Sequence, residues 1–410
     1  MGKFTMIHQY RPNFDWQELL AVLRPGGGRN EFELAMAKRM KAQHALAFAY
    51  GRSGIIAACK ALGLTRAEII VPAYTCNVVA EAVVVSGNQP VFVDIDLADF
   101  NTNVCTVKDA LTRRTRAIIA THMYGYPIDI EAIRAAVGDN RVAIIEDAAL
   151  LGPLNPGPGG NGLQGDITVF SFSPGKHLYA VAGGIVVTNS AELYEKLRAY
   201  RDREMHGLPW SVWAKRFARF LNGYVMLNAS LFEIWNRINE AGSMQRARNA
   251  LGLAQVEMPG DYATAFADFQ GRVGLRQLHK FDAVLDRHRA WAEYYDRELH
   301  GIPGISLPPI ITGATYALYT IRVERRDEIG FRERMQAKGI EVGTAFDYVV
   351  PYLKPYRSYA KGTYPQAERA AREVMNLPNY AGLSAAGGQY IAEETRNALR
   401  EALSQPTFGG

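Results

Sequence analysis

Short runs of Val and Ile, apolar on both faces, recur down the first half of this chain with helix-length segments between them. The runs are Glu68–Val71 closing at Pro72, Pro90–Val93, Arg116–Thr121, Val142–Ile145, Asp166–Phe172 and Gly184–Thr188. Between or beside them, Arg52–Leu62, Asn77–Val85, Asp129–Ala136 and about Ala191–Tyr200 carry helical periodicity. A strand with no polar face must be covered by helices on both sides, so the pattern predicts an α/β fold. The sheet is mostly parallel or mixed, with right-handed crossovers.

From about Gly271 the texture changes. A long charged helix is expected over roughly Leu275–Leu299, then a strand over Tyr316–Val323 and helices near 331–338, 366–375 and 390–403. At 410 residues the chain has room for two domains. The expected organisation is a large domain over 1–270, then a connecting helix and a small C-terminal α+β domain over 271–410. The tail 405–410 reads as frayed.

Composition narrows the function. The net charge of +5, at a pI near 8.9, is not gathered into a basic patch, so no nucleic-acid role is expected. Three cysteines, Cys59, Cys76 and Cys105, are too few for a disulfide framework and lack metal-ligand spacing. They fit a reducing cytoplasm. No signal-peptide pattern and no run long enough to span a membrane is present.

In such a sheet ligands bind at the carboxyl ends of strands. Four polar stretches fall there: Tyr74-Thr75-Cys76-Asn77, His122-Met123-Tyr124-Gly125, Glu146-Asp147 and Ser173-Pro174-Gly175-Lys176. An acid at one strand end and a lysine at another is the pair that pyridoxal 5′-phosphate (PLP) chemistry needs. The lysine forms the Schiff base, and the acid keeps the pyridine nitrogen protonated. Lys176 and Asp147 are therefore the candidate catalytic residues. Gly183-Gly184 lets the backbone pass close to a planar ring. Tyr50-Gly51-Arg52-Ser53-Gly54 opens a helix whose N-terminus, with Ser171, offers a phosphate cup. His122 stands as a pocket-lining or acid candidate. The glycine-rich loop 156–160 lacks the context of a dinucleotide site and reads as surface.

One segment stands apart. Residues 209–238 are rich in Trp, Phe and Leu, with Lys215, Arg216 and Arg219 among them. Such a helix either lies on a membrane surface or is buried at a subunit interface.

The motifs together resemble the DegT/DnrJ/EryC1/StrS family of PLP-dependent aminotransferases, over roughly 30–400. "VPAYTCNVVAEAVVVSGNQPVFVDID" (71–96), "RAIIATHMYGYPIDIEAI" (116–133), "IIEDAA" (144–149), "FSFSPGKHLYAVAGGIVVTN" (170–189), "FQGRVGLRQLHKFD" (269–282) and "NLPNYAGLS" (376–384) carry the likeness. It implies the fold type I, aspartate aminotransferase-like architecture, with a mixed, mostly parallel seven-stranded sheet in the large domain. It also implies a homodimer that moves an amino group, usually from L-glutamate, to a keto-sugar in polysaccharide or secondary-metabolite biosynthesis. Lys176 would hold the cofactor aldehyde and shuttle the proton, Asp147 would bind the ring nitrogen, and Gly51, Arg52, Ser53 and Ser171 would hold the phosphate. Cys76 replaces the family's stacking aromatic, with Tyr74 close by. Leu150 replaces a polar residue common after the aspartate motif. Ala263 falls near the asparagine expected to reach the phosphate from a partner subunit, and Arg52 is the alternative phosphate partner. The greasy 209–238 segment points to a lipid-linked substrate or a peripheral membrane contact. Two other readings stay open: another PLP reaction such as sugar dehydration, and a non-catalytic homologue. Against dehydration, those enzymes have histidine where Lys176 stands, and His177 is out of register.

Overall fold

The protein is described by a computed structural model over residues 6–25, 28–138, 141–155, 163–205, 207–225, 256 and 258–404. The 156–160 loop, the 226–238 part of the aromatic segment and the 405–410 tail lie outside the described residues.

In chain order the first unit comprises α1 (Trp16–Leu23), α2 (Arg29–Arg39), β1 (His44–Phe48), α3 (Gly51–Ala61), β2 (Glu68–Pro72), α4 (Asn77–Val85), β3 (Gln89–Val93), α5 (Val104–Ala110), β4 (Thr115–Thr121), α6 (Ile130–Val137), β5 (Ala143–Asp147), β6 (Ile167–Ser171), β7 (Gly184–Thr188), α7 (Ala191–Glu204) and α8 (Trp210–Val225). After these come α9 (Asp268–His279), α10 (Phe281–Leu299), β8 (Ile305–Ser306), β9 (Tyr319–Val323), α11 (Phe331–Ala337), α12 (Pro365–Glu373), β10 (Val374–Leu377) and α13 (Ala385–Ser404).

Local chemistry starts and stops these helices. Asp15 caps α1 and Glu18 closes a capping box with it; Ser190 caps α7 through the Leu193 N–H. Asp129 caps α6, and Gly138, left-handed at φ 61°, ends it.

The seven-stranded sheet has the order β1-β7-β6-β5-β4-β2-β3. β7 is antiparallel to both β1 and β6, and the other neighbours are parallel. Successive strand residues enter opposite cores: Ile69, Val71, Ile119, Ile145 and Val169 join one cluster, while Ile70, Ile118 and Ile144 join another and Phe170 a third. That is the two-sided burial expected from the apolar runs. A second, antiparallel sheet, β10-β9-β8, packs against α12 through β9. The start of the chain crosses to it, with Ile7 bridging Ile340 and His8 Nδ1 2.9 Å from a Glu341 carboxylate oxygen.

Four expectations need correction. The long connecting helix is two helices, because Lys280 leaves helical geometry at φ −99°, ψ 4°. β1 was not expected. Its Ala-rich sequence lacks a strand signature, and pairing with β7 supplies the strand. The helix near 366–375 ends at Glu373, and Val374–Leu377 pairs with β9 instead. The strand read as Tyr316–Val323 begins only at Tyr319, since Tyr316 takes a left-handed φ of 47°.

Candidate active site

β5 ends at Asp147 and β6 at Ser171, on the same edge of the sheet. β7 starts from that edge at Gly184, opposite Ser171. β1 also arrives there, with Phe48 opposite Gly184, and the chain turns at Tyr50 into α3. The first turn of α3 is thus pressed against the ends of β6 and β7. A Cβ on Gly184 would lie 2.5 Å from the Gly51 Cα and N. Only glycine fits at 184, because the backbone of Gly51 occupies that space.

The first in-helix donor is the Gly54 N–H, to the Tyr50 carbonyl at 3.2 Å. The N–H groups of Gly51, Arg52 and Ser53 precede it and have no helical acceptor. With the Ser171 hydroxyl, 3.5 Å from that of Ser173, they form a cradle suited to an oxyanion. The side chains beside this cradle are otherwise engaged. The Ser53 hydroxyl donates to the Tyr262 carbonyl at 2.8 Å. One Arg52 nitrogen pairs with the buried Glu81 carboxylate at 2.5 Å. Ser53 therefore offers its backbone, and Arg52 is not the free charge partner proposed from sequence.

Lys176 comes off a tight turn, its N–H donating to the Ser173 carbonyl at 3.3 Å, with Gly175 left-handed at φ 81°. Burial holds its ammonium below the ordinary lysine range, while the neighbouring Cys76 and Asp147 pull it back up. Asp147 is buried, and burial raises its carboxyl; the Ala149 N–H, donating at 3.1 Å, and the Lys176 charge lower it again. Cys76, at the N-cap of α4, has its thiol raised by burial and feels Lys176, Arg52 and Asp147. Lys176, Asp147 and Cys76 therefore lie within electrostatic reach of one another.

Two candidates are placed elsewhere. The His122 ring reaches the strand edge, but its Nδ1 accepts the Ile128 N–H at 3.1 Å and its Nε2 lies 3.2 Å from Glu146. Both nitrogens are committed, so His122 is not available as an acid. Tyr74 is buried among Phe100, Tyr124 and Phe346, with its hydroxyl 2.7 Å from that of Tyr124. It is a core residue. Sequence reasoning missed Tyr348, whose hydroxyl accepts the Asn77 N–H at 3.2 Å, and Asp261, which accepts from the Tyr50 hydroxyl at 2.7 Å. The segment around Ala263 thus lies on α3 of its own chain. Only tertiary contacts reveal these partners.

The aromatic helix α8 uses one face as core. Trp213, Phe217 and Phe220 meet Phe269 edge-on. Arg216, one of the basic residues of this segment, is fully buried and pairs with Asp261 at 3.1 Å. A charge removed from water needs such a partner. Trp210, Lys215, Arg219 and Leu221 remain exposed.

A buried acid, a lysine with a lowered pKa, and a glycine-walled oxyanion cradle fit PLP group by group, and together with the fold they define a PLP-dependent aminotransferase of fold type I. The family model of the DegT/DnrJ/EryC1/StrS aminotransferase family matches residues 20–396. The chain is 27% identical over 390 residues to the spore coat polysaccharide biosynthesis protein SpsC of Bacillus subtilis, covering 93% of this chain and 92% of that one. It is 30% identical over 353 residues to the dTDP-3-amino-3,4,6-trideoxy-alpha-D-glucose transaminase of Streptomyces venezuelae, covering 85% and 80%. The solved structure of DesV from S. venezuelae superposes with a TM-score of 0.72 at 27% identity, covering 93% and 94%. The chain belongs to the DegT/DnrJ/EryC1/StrS aminotransferase family.

Proposed function

We propose that this protein transfers an amino group from an amino acid, L-glutamate, to a keto-sugar carried on a nucleotide, in glycan or secondary-metabolite biosynthesis. The observation that carries the reading is the meeting of Lys176 and Asp147 on one strand edge beside the α3 cradle. The sugar-nucleotide substrate is drawn from the name of the S. venezuelae relative, and the glycan setting from that of the B. subtilis one.

Bound PLP supplies an electron sink next to the carbon that loses its proton. Asp147, which accepts the Ala149 N–H at 3.1 Å and whose carboxyl burial pushes up, would pair with the protonated ring nitrogen. Lys176 Nζ would take the proton from the carbon on one side of the transferred nitrogen and deliver it on the other side. Burial favours the uncharged amine that this step needs. The Gly51, Arg52 and Ser53 amides and the Ser171 hydroxyl would hold the phosphate, with Cys76 among the residues that would line the ring site. Transfer by these residues, with Lys176 in place, is favoured over dehydration and over a non-catalytic role.

The working form in this reading is a homodimer in the cytoplasm, with the large unit over 1–270 and the small one over 271–410. Among the described residues no helix is long and apolar enough to cross a membrane. The exposed Trp210, Lys215, Arg219 and Leu221 of α8 support a peripheral membrane contact.

The test is incubation of the PLP-loaded protein with L-glutamate and dTDP- or UDP-linked keto-sugars, followed by mass spectrometry. An amino-sugar nucleotide and 2-oxoglutarate are the expected products. Dehydrated sugar, or no change with any acceptor, counts against the reading.

A further inference from the structure

Lys176 also borders a narrow cleft on its other flank, and the N-terminal segment forms part of its wall. Tyr10, Arg11 and Asn13 face Gly175, Lys176, His177 and Tyr380 across it. The segment is tied down just upstream by the Ile7 bridge to Ile340. Just downstream, Phe14 stacks on Tyr179 at 5.1 Å. Arg11 is thus carried on a fixed strap and not on a loose end.

The Nε of Arg11 is buried without a hydrogen-bond partner, as are those of Arg216, Arg272 and Arg276, but of these four only Arg11 lines the cleft beside Lys176, and no ion pair of Arg11 is seen among the described residues. Nearby acids have cations of their own: Asp15 and Glu18 pair with Lys280, and Asp282 pairs with Arg39. The charge is felt inside the cleft, where it lowers a Tyr380 phenol that burial raises. A buried N–H on a group of fixed positive charge calls for an acceptor, and a ligand entering the cleft would supply one. Arginine's planar fork matches a carboxylate two bonds at a time. The cleft has about 20 Å³ of free room, which admits one small group and excludes a diphosphate.

We propose that Arg11 is the carboxylate anchor of the amino donor, placed beside Lys176 so that the donor's amino group is delivered to the reacting end of the site. This deepens the aminotransferase reading and rests on it. It makes Arg11 a binding and specificity residue. A donor without a carboxylate would leave the guanidinium unpaired, and that penalty selects amino acids over simple amines.

The experiment uses the full chain loaded with PLP, as wild type, Arg11→Met and Arg11→Lys. Succinate, an unreactive dicarboxylate, is titrated by calorimetry, and L-glutamate is titrated against the cofactor absorbance. Succinate and glutamate are expected to bind about tenfold or more weaker to Arg11→Met, with Arg11→Lys in between. PLP affinity and borohydride trapping at Lys176 are expected to stay at wild-type values, which a merely structural role would not give. Equal succinate affinity in wild type and Arg11→Met, or no succinate binding to wild type, overturns the proposal. So does a defect confined to the sugar-nucleotide half-reaction. Succinate binding that depends on Arg11 without any amino transfer by the wild type would refute the aminotransferase reading alone.

Discussion

Gly184→Ala is the sharpest probe of how the fold builds the site. The new methyl carbon would meet the Gly51 Cα and N at 2.5 Å, where ordinary contact begins at 3.4 Å. The shortfall is about 0.9 Å, and both atoms are backbone, so no side chain can swing aside. Either α3 moves out from the end of β7 or β7 shifts in the sheet. Overpacking of this kind costs about 1–3 kcal/mol. The functional cost is at the upper end of the same range, because the moved atoms carry the cradle N–H groups. A displacement near 1 Å in such a site lowers turnover about 10²-fold. The assays are thermal unfolding of the apo-protein and equilibrium PLP binding. A lower Tm together with at least tenfold weaker PLP binding is expected. An alanine variant that melts and binds PLP like wild type would refute the claim that α3 and β7 touch at this point.

Further outcomes follow from the same geometry. Lys176→Ala is expected to retain PLP noncovalently but to lose turnover by at least about 10³-fold, measured by single-turnover kinetics. Asp147→Asn should fold normally and slow the reaction about 10²–10³-fold; a change under threefold would mean that the ring nitrogen has another partner. Burial lowers the His288 pKa from 6.5 to about 4. Its folded pKa lies below its unfolded one, so its contribution is complete above pH 6.5 and is lost as pH falls towards 4. Unfolding titrations should show on the order of 3 kcal/mol lost across that window, and a smaller loss in His288→Asn. If α8 meets membranes, removing the exposed Trp210, Lys215, Arg219 and Leu221 side chains should abolish co-sedimentation with anionic liposomes while leaving activity intact.

Much of this site was legible because it depends on strand ends. Asp147, Ser171 and Lys176 each follow an apolar run directly, and Gly51 opens a helix with a clear period, so the rule for ligands at sheet edges finds them. What stayed hidden depends on partners distant in sequence. Nothing in the sequence around His122 shows that Glu146 takes its Nε2. Arg52 looks like a phosphate ligand until Glu81 is seen beside it. Arg216 looks like a surface charge until Asp261 closes over it. The break at Lys280 carries no Gly or Pro to announce it. Arg11 belongs to a strap that joins the Lys176 loop only through the tertiary fold.

The measurement that tests the central claim most directly is the visible spectrum of the purified protein with PLP, before and after excess L-glutamate, with borohydride trapping and peptide mapping on a parallel sample. The expected result is an absorption band from PLP joined to Lys176, trapped at that residue, which glutamate bleaches to the amine form of the cofactor. No band, or a trapped cofactor at any lysine other than Lys176, would contradict it.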